Sequence, residues 1–277
     1  ISMTLSGTGV LFDIDRLLAD GTVTPAFGGL EEACGKACMD WYAEYYKVDW
    51  PRADFKNVSM SDMGNGRYKN PIVFADFPDP DVVRVGDTYY MATTTMHHFP
   101  GCTLLKSKDM VNWEYCAQPL EQLSAKDNYS LLNGQNAYAK GMWACAIAYH
   151  DGKFYIMING NDAGGYVLSA TDPEGKWEKK RIDRVYYDPG MLFDNGKVYV
   201  VCGTTTIRMC ELDEDFNFIR EKTLLTADAM LEGCHLYKIG GYYYIYGTYG
   251  GWPSGQTVLR SCLLYTSPSP RDYAASR

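Results

Sequence analysis

The segments "VRVGDTYYMAT" (Val83–Thr93), "YHDGKFYIMIN" (Tyr149–Asn159), "FDNGKVYVVCG" (Phe193–Gly203) and "YKIGGYYYIYG" (Tyr237–Gly247) repeat one pattern. Each is a β-rich run, a Gly-containing turn and a second β-rich run, the signature of a hairpin. The aligned tyrosines are Tyr90, Tyr155, Tyr199 and Tyr244, separated by 65, 44 and 45 residues. A third short run follows each hairpin: "CTLLKSKD", "GYVLSATD", "TIRMCELD" and "GQTVLRS". In the first three repeats an Asp and then an aromatic come next: Asp109 and Trp113, Asp172 and Trp177, Asp213 and Phe218. A unit of about 44 residues with three or four antiparallel strands has the length and content of a β-propeller blade. A β-sandwich would also supply antiparallel strands, but it does not need them to recur at a fixed period. The expected fold is therefore all-β, a propeller.

Three carboxylates fall at one place in this repeat. Asp79 lies 11 residues before Tyr90, Asp188 lies 11 before Tyr199, and Glu232 lies 12 before Tyr244. The first strand of a propeller blade lines the central axis, so these residues are expected to converge at one mouth of the channel. In the second repeat Trp143 and Ala144 take that place. Asp and Pro also start turns for local backbone reasons, and "PDPD" and "YDPG" read as turns. Turn chemistry does not explain why a Glu followed by Gly shares the register. Paired acids in a concave mouth are the equipment of glycoside cleavage. Asp76 and Asp81 read as turn and rim residues.

The bulk composition narrows the class. The chain has 277 residues, 46% of them hydrophobic and 22% charged, ordinary values for a globular protein. Its 23 Tyr offer flat apolar faces with a polar tip, which suits sugar-lined clefts and strand packing alike. A net charge of −8 with dispersed basic residues argues against a nucleic-acid partner. No apolar run approaches the ~20 residues of a membrane helix. Nine Cys occur without paired spacing, and Cys145, Cys202 and Cys210 sit in apolar runs as small buried hydrophobes. Cys34 and Cys38 share one face of an expected helix, which is half a metal site at most.

With these residues in view, the chain resembles the family 43 glycoside hydrolases from about Asn70 to Arg260. "NPIVFADFPDPDVVRVGDTYYMATTT" is similar to that family's opening strand, and "HHFPGCTLLKSKDMVNWE" (His97–Glu114) to the loop and outer strands after it. "GMWACAIAYHDGKFY" resembles the second-blade motif and "EGCHLY" the motif of the general acid. The chain departs from the family at Cys145-Ala146, where Pro-Asp is common, and at Cys234, where Pro is common. The resemblance implies a five-bladed propeller, of which about four blades are visible. It implies a β-xylosidase or α-L-arabinofuranosidase acting with inversion on xylan, arabinoxylan or arabinan. Asp79 would take a proton from water and Glu232 would protonate the leaving oxygen, with the two carboxyls roughly 6.5–9.5 Å apart. Asp188 would orient the acid and, as a negative neighbour, favour its protonated form. Retention would need roughly 5–5.5 Å between the acids. Trp143 and Phe99 are candidate walls of the sugar site, His98 with His97 a candidate rim, and His235 a support for Glu232. No cofactor is required. Some family members hold a cation in the channel, but the four His of this chain form no ligand cluster. The alternative is a non-catalytic propeller that binds carbohydrate or protein.

The ends read differently from the repeats. Residues 1–69 do not repeat, and "GLEEACGKACMDWYAEYY" has an apolar stripe at helical period. They are expected to form a partly helical extension or the end of an upstream domain, joined to residues 70–260 by the linker "SDMGNGRYKN". No signal peptide is visible, and localisation is left open. "SCLLYTSPSPRD" (Ser261–Asp272) resembles the translated read-through of a sequencing-library adapter, so residues 261–277 are expected to be non-native. The fourth repeat is then expected to lack its outer strand and the chain, as written, to be unstable or inactive.

Overall fold

The structure is a computed structural model. It describes residues 58–264, apart from 60, 74, 97–100, 121, 162 and 251–254, together with three short strand segments nearer the termini. The chain divides into two compact units, Ile1–Phe55 and Lys56–Arg277. In the first, β1 (Ser2–Met3) pairs antiparallel with β2 (Phe12–Asp13). The expected helix over residues 30–45, with Cys34 and Cys38, lies outside the described residues, as do His97, His98 and Phe99.

The second unit contains four four-stranded antiparallel sheets, taken up in chain order. The first holds β3 (Asp81–Val85), β4 (Thr88–Thr94), β5 (Cys102–Ser107) and β6 (Trp113–Ala117). The second holds β7 (Ala146–His150), β8 (Lys153–Gly160), β9 (Gly164–Ala170) and β10 (Glu178–Ile182). The third holds β11 (Gly190–Asp194), β12 (Lys197–Cys202), β13 (Thr206–Leu212) and β14 (Phe218–Thr226). The fourth holds β15 (Leu231–Ile239), β16 (Tyr242–Tyr249), β17 (Gln256–Ser261) and β18 (Tyr273–Ala275). The repeat holds at the level of register: Val83 faces Tyr90, Ala148 faces Tyr155, Leu192 faces Tyr199 and Tyr237 faces Tyr244. This is a four-blade propeller arrangement, the all-β fold expected from the repeats. The outer place of the fourth blade, expected to be empty, is taken by β18, which pairs with β17.

Blades stack because their strands are apolar on both faces. Along β8, Ile156 and Ile158 pack toward the first blade while Met157 packs toward the third. Along β12, Val198, Val200 and Cys202 face the second blade while Tyr199 and Val201 face the fourth. Successive side chains on a strand point to opposite faces, so each middle strand serves two interfaces. Ile156, Val200 and Val201 are wholly buried, and truncating Ile156 to Ala would cost about 2–5 kcal/mol. Cys145, Cys202 and Cys210 are buried and free, as expected.

The Asp of each outer turn caps its own chain. Asp109 accepts from the Val111 and Asn112 N–H groups, Asp172 from Glu174, and Asp213 from Asp215 and Asn217. The Asn112 side-chain amide, donating to Asp109 Oδ2 at 2.9 Å, and then those backbone bonds lower the Asp109 carboxyl to about 2. Val58 and Ser59 lie against the first blade. Val58 donates its N–H to the Trp113 carbonyl at 2.9 Å, and the Ser59 hydroxyl accepts from the Trp113 N–H. Val58, Ile72, Val73 and Phe77 then cover Met91, Leu105 and Trp113.

Candidate active site

Asp79 and Asp188 stand on the turns just before β3 and β11, and Glu232 lies at the start of β15. The Pro78 carbonyl accepts from the Thr93 hydroxyl at 2.6 Å, which fixes the turn carrying Asp79. Asp79 and Asp188 both have left-handed backbone angles, φ 50° and 46°. Asp tolerates that region better than most residues because its short polar chain bonds locally. The third acid reaches the same register differently. β15 carries a bulge between Glu232 and His235, so Glu232 opposes Thr248 while His235 opposes Tyr246. The bulge is the extra residue that puts Glu232 12, not 11, before its repeat tyrosine.

The three carboxylates line one cavity of about 280 Å³ with Pro80, Ala144, Cys145, Pro189, Gly233, His235 and Thr248. The electrostatics follow from that crowding. Burial, then the charge of Glu232, raises the Asp79 carboxyl above its ordinary value. Burial, then Glu232 and Asp79, pushes Asp188 up to about 6, although the Gly233 N–H at 3.2 Å and the His235 charge pull it down. Asp79 and Asp188 therefore both hold their protons more tightly than ordinary carboxylates do, as crowded acids in a functional cleft do.

Trp143 precedes Ala144 of that lining and is not itself among the lining residues. Its ring lies edge-on to Tyr187, centroids 6.2 Å apart, and its indole N–H donates to the Ala139 carbonyl at 3.0 Å. Tyr187 carries no sequence signal of its own, yet its hydroxyl donates to Glu232 Oε2 at 3.1 Å. The left-handed turn at Asp188 aims neighbouring side chains at one target, and spacing alone does not disclose that. Asn159 is a second such residue. Buried at the end of β8, it clamps the Tyr186 backbone, its amide donating to the Tyr186 carbonyl and its oxygen accepting from the Tyr186 N–H. The second blade thereby positions the loop that carries Tyr187 and Asp188.

Two expectations are corrected. Asp81 is not a rim residue: it is 6% exposed and accepts from the Val82 N–H, the Ile147 N–H and His235 Nδ1, each at 2.9 Å. His235 is turned to Asp81, not to Glu232. The reason is register, since Asp81 opposes Ala92 just as His235 opposes Tyr246, one step deeper than the acids. The pair sits between the acidic cavity and a second cavity of about 190 Å³ lined by β3, β7, β11 and β15. A pair bonded to each other is not an open ligand set for a cation. Among the described residues no group of three or more His, Cys, Asp or Glu is placed to hold a metal.

Residues 68–272 match the family Glycosyl hydrolases family 43. A β-xylosidase of Formosa agariphila is 35% identical over 208 residues, covering 68% of this chain and 35% of the relative. A non-reducing end α-L-arabinofuranosidase of Bacteroides ovatus is 33% identical over 208 residues, covering 70% of this chain and 38% of the relative. A bifunctional GH43-CE protein of Bacteroides eggerthii superposes with a TM-score of 0.67 at 30% identity, covering 72% of this chain and 28% of that one. The chain thus spans between a third and two fifths of the length of these curated relatives. With the match running over most of its length, the chain belongs to family 43 of the glycosyl hydrolases.

Proposed function

We propose that the protein containing this chain is an inverting glycosidase acting on xylose- or arabinose-containing hemicellulose glycosides. One observation carries the reading: acids from three blades, Asp79, Asp188 and Glu232, share one cavity. The relatives' names, β-xylosidase and α-L-arabinofuranosidase, set the sugar class. Asp79 is the general base, and its raised proton affinity strengthens it for taking a proton from water. Glu232 is the general acid that protonates the leaving oxygen. Asp188 orients that acid and the sugar. Trp143 walls the sugar site; Phe99 and His98, read from the sequence as its further wall and rim, lie outside the described residues. The reaction needs no cofactor, because acid, base and water supply every proton and bond.

The test is release of xylose or arabinose from their 4-nitrophenyl glycosides by the full-length protein, with Asp79→Asn and Glu232→Gln alongside. Turnover that falls at least a hundredfold in both folded variants supports the reading. The first-formed anomer, followed by proton NMR, must be inverted. A folded protein that turns over neither glycoside, or whose variants match the parent, would point to a non-catalytic carbohydrate- or protein-binding propeller instead.

A further inference from the structure

We propose that Tyr187 is a positioning residue that sets which oxygen of Glu232 delivers the proton and stabilises the carboxylate left behind. The inference rests on reading Glu232 as the acid. Its basis is geometric. The Tyr187 hydroxyl donates to Glu232 Oε2 at 3.1 Å. The other oxygen, Oε1, lies against Gly250, where a Cβ would stand 2.8 Å away. An oxygen that already accepts a hydrogen bond is a poor place for the carboxylic proton, so the proton resides on Oε1.

The bond is differential in the sense that catalysis requires. With Glu232 neutral, Tyr187 donates to a carbonyl-like oxygen. As Oε1–H passes its proton to the glycosidic oxygen, the bond from the anomeric carbon to that oxygen breaks and its electron pair stays on the leaving group. Water deprotonated by Asp79 forms the new bond to the anomeric carbon. Glu232 becomes anionic in that step, and a hydrogen bond to an anion is roughly twice as strong as one to a neutral oxygen. Tyr187 therefore acts on the transition state more than on the bound substrate.

Its own placement is over-determined, as a positioning group's must be. The Tyr187 carbonyl accepts from the Gly203 N–H at 2.9 Å, and Trp143 stacks edge-on against its ring. Asn159 holds the preceding residue from both sides. Burial, the Asp188 charge and the bond to Glu232 all raise the Tyr187 hydroxyl, so it remains a donor throughout the working range.

The experiment compares leaving groups in Tyr187→Phe of the full-length protein. A 2,4-dinitrophenyl glycoside leaves without protonation, whereas a methyl glycoside of the same sugar depends on the acid. The expected result is a fall in kcat/KM of roughly tenfold to a hundredfold on the methyl glycoside, carried by kcat, and less than threefold on the dinitrophenyl glycoside. Equal loss on both, or loss on neither, overturns the proposal, and the activated substrate doubles as the check on folding. Glu232→Gln in the same assay separates the two claims. If that variant shows no leaving-group dependence, the assignment of the acid fails and this inference fails with it. If it shows the dependence and Tyr187→Phe does not, only the role of Tyr187 is lost.

Discussion

Replacing Asp81 by Ala removes the acceptor for three donors at once. The Val82 N–H, the Ile147 N–H and His235 Nδ1 each lie 2.9 Å from its oxygens. The Ile147 N–H is buried, so it is left without its partner. Breaking a fully buried pair costs about 3–5 kcal/mol, but the His235 side chain is 31% exposed and water recovers part of that. A cost of about 3 kcal/mol is expected. For a unit of this size that lowers Tm by roughly 6–12 °C. The loss also depends on pH. Burial alone would lower the His235 value, but the hydrogen bond and charge of Asp81, with the charge of Asp188, outweigh it, and the net shift is upward from 6.5. A cation favoured in the folded state contributes its stability fully below the unfolded value and loses it as pH rises through the folded one. The gap between the parent and Asp81→Ala should be widest at pH 5.5–6.5 and narrow above that. Calorimetric melts at pH 5.5, 6.5 and 8.5 measure it. A gap below about 1 kcal/mol, or one that is flat with pH, would refute the argument that this pair ties the first blade to the second and fourth.

Other perturbations separate stability from chemistry. Asp188→Asn keeps the left-handed turn and removes the raised carboxyl; the shift from 3.8 to about 6 corresponds to roughly 3 kcal/mol of native-state penalty above pH 6, discounted to about 2 for partial exposure. The variant should therefore melt higher than the parent at pH 7 and lose that advantage below pH 4, while turnover falls at least a hundredfold; a lower Tm at pH 7 would contradict this. Asn159→Ala leaves the Tyr186 N–H and carbonyl without partners and should cost about 2–4 kcal/mol by urea denaturation, with kcat reduced more than KM is raised. Gly250→Ala places a methyl 2.8 Å from Glu232 Oε1 and should cut turnover roughly tenfold or more with little change in Tm, because Met230, the other neighbour, has an exposed flexible chain.

The fold was legible because a propeller writes itself as a period. Glycine turns, paired β runs and a tyrosine at a fixed place in each hairpin are local signals, and four repetitions leave few alternatives. The shared place of Asp79, Asp188 and Glu232 was legible for the same reason, since equal register in equivalent strands means convergence at the axis. What the sequence concealed depends on contacts between blades. Asp81 reads as a turn residue beside "DP", yet its partners are 66 and 154 residues away. Tyr187 is one tyrosine among 23, and only the turn at Asp188 makes it a neighbour of Glu232. His235 follows Glu232 closely enough to look like its support, and the bulge between them sends it elsewhere.

That bulge also explains how one strand serves two purposes. Four positions two steps apart from the acids form a deeper set: Asp81, Ala146, Gly190 and His235, facing Ala92, Met157, Val201 and Tyr246. Ala146 is wholly buried, and Gly190 is small for a packing reason. A Cβ at Gly190 would meet the Cys234 carbonyl at 2.2 Å, so β11 and β15 approach this closely only over glycine. The other two carry opposite charges and bond to each other. The outer set is different, with three acids and Ala144 around the cavity. Eleven residues back from Tyr244 the chain reaches Gly233, and the bulge is what lets Glu232, twelve back, still oppose Thr248 in the acids' register. The inserted residue keeps His235 on Asp81 and still delivers Glu232 beside Asp188. The deeper pair then places a positive charge below three carboxylates, and the His235 charge is among the forces holding Asp188 down. Deleting Gly233 would leave Glu232 eleven residues before Tyr244, the spacing of Asp79 and Asp188, and would remove the Gly233 N–H that holds Asp188, so turnover should fall in kinetic assays while calorimetric melts still show the Asp81–His235 tie.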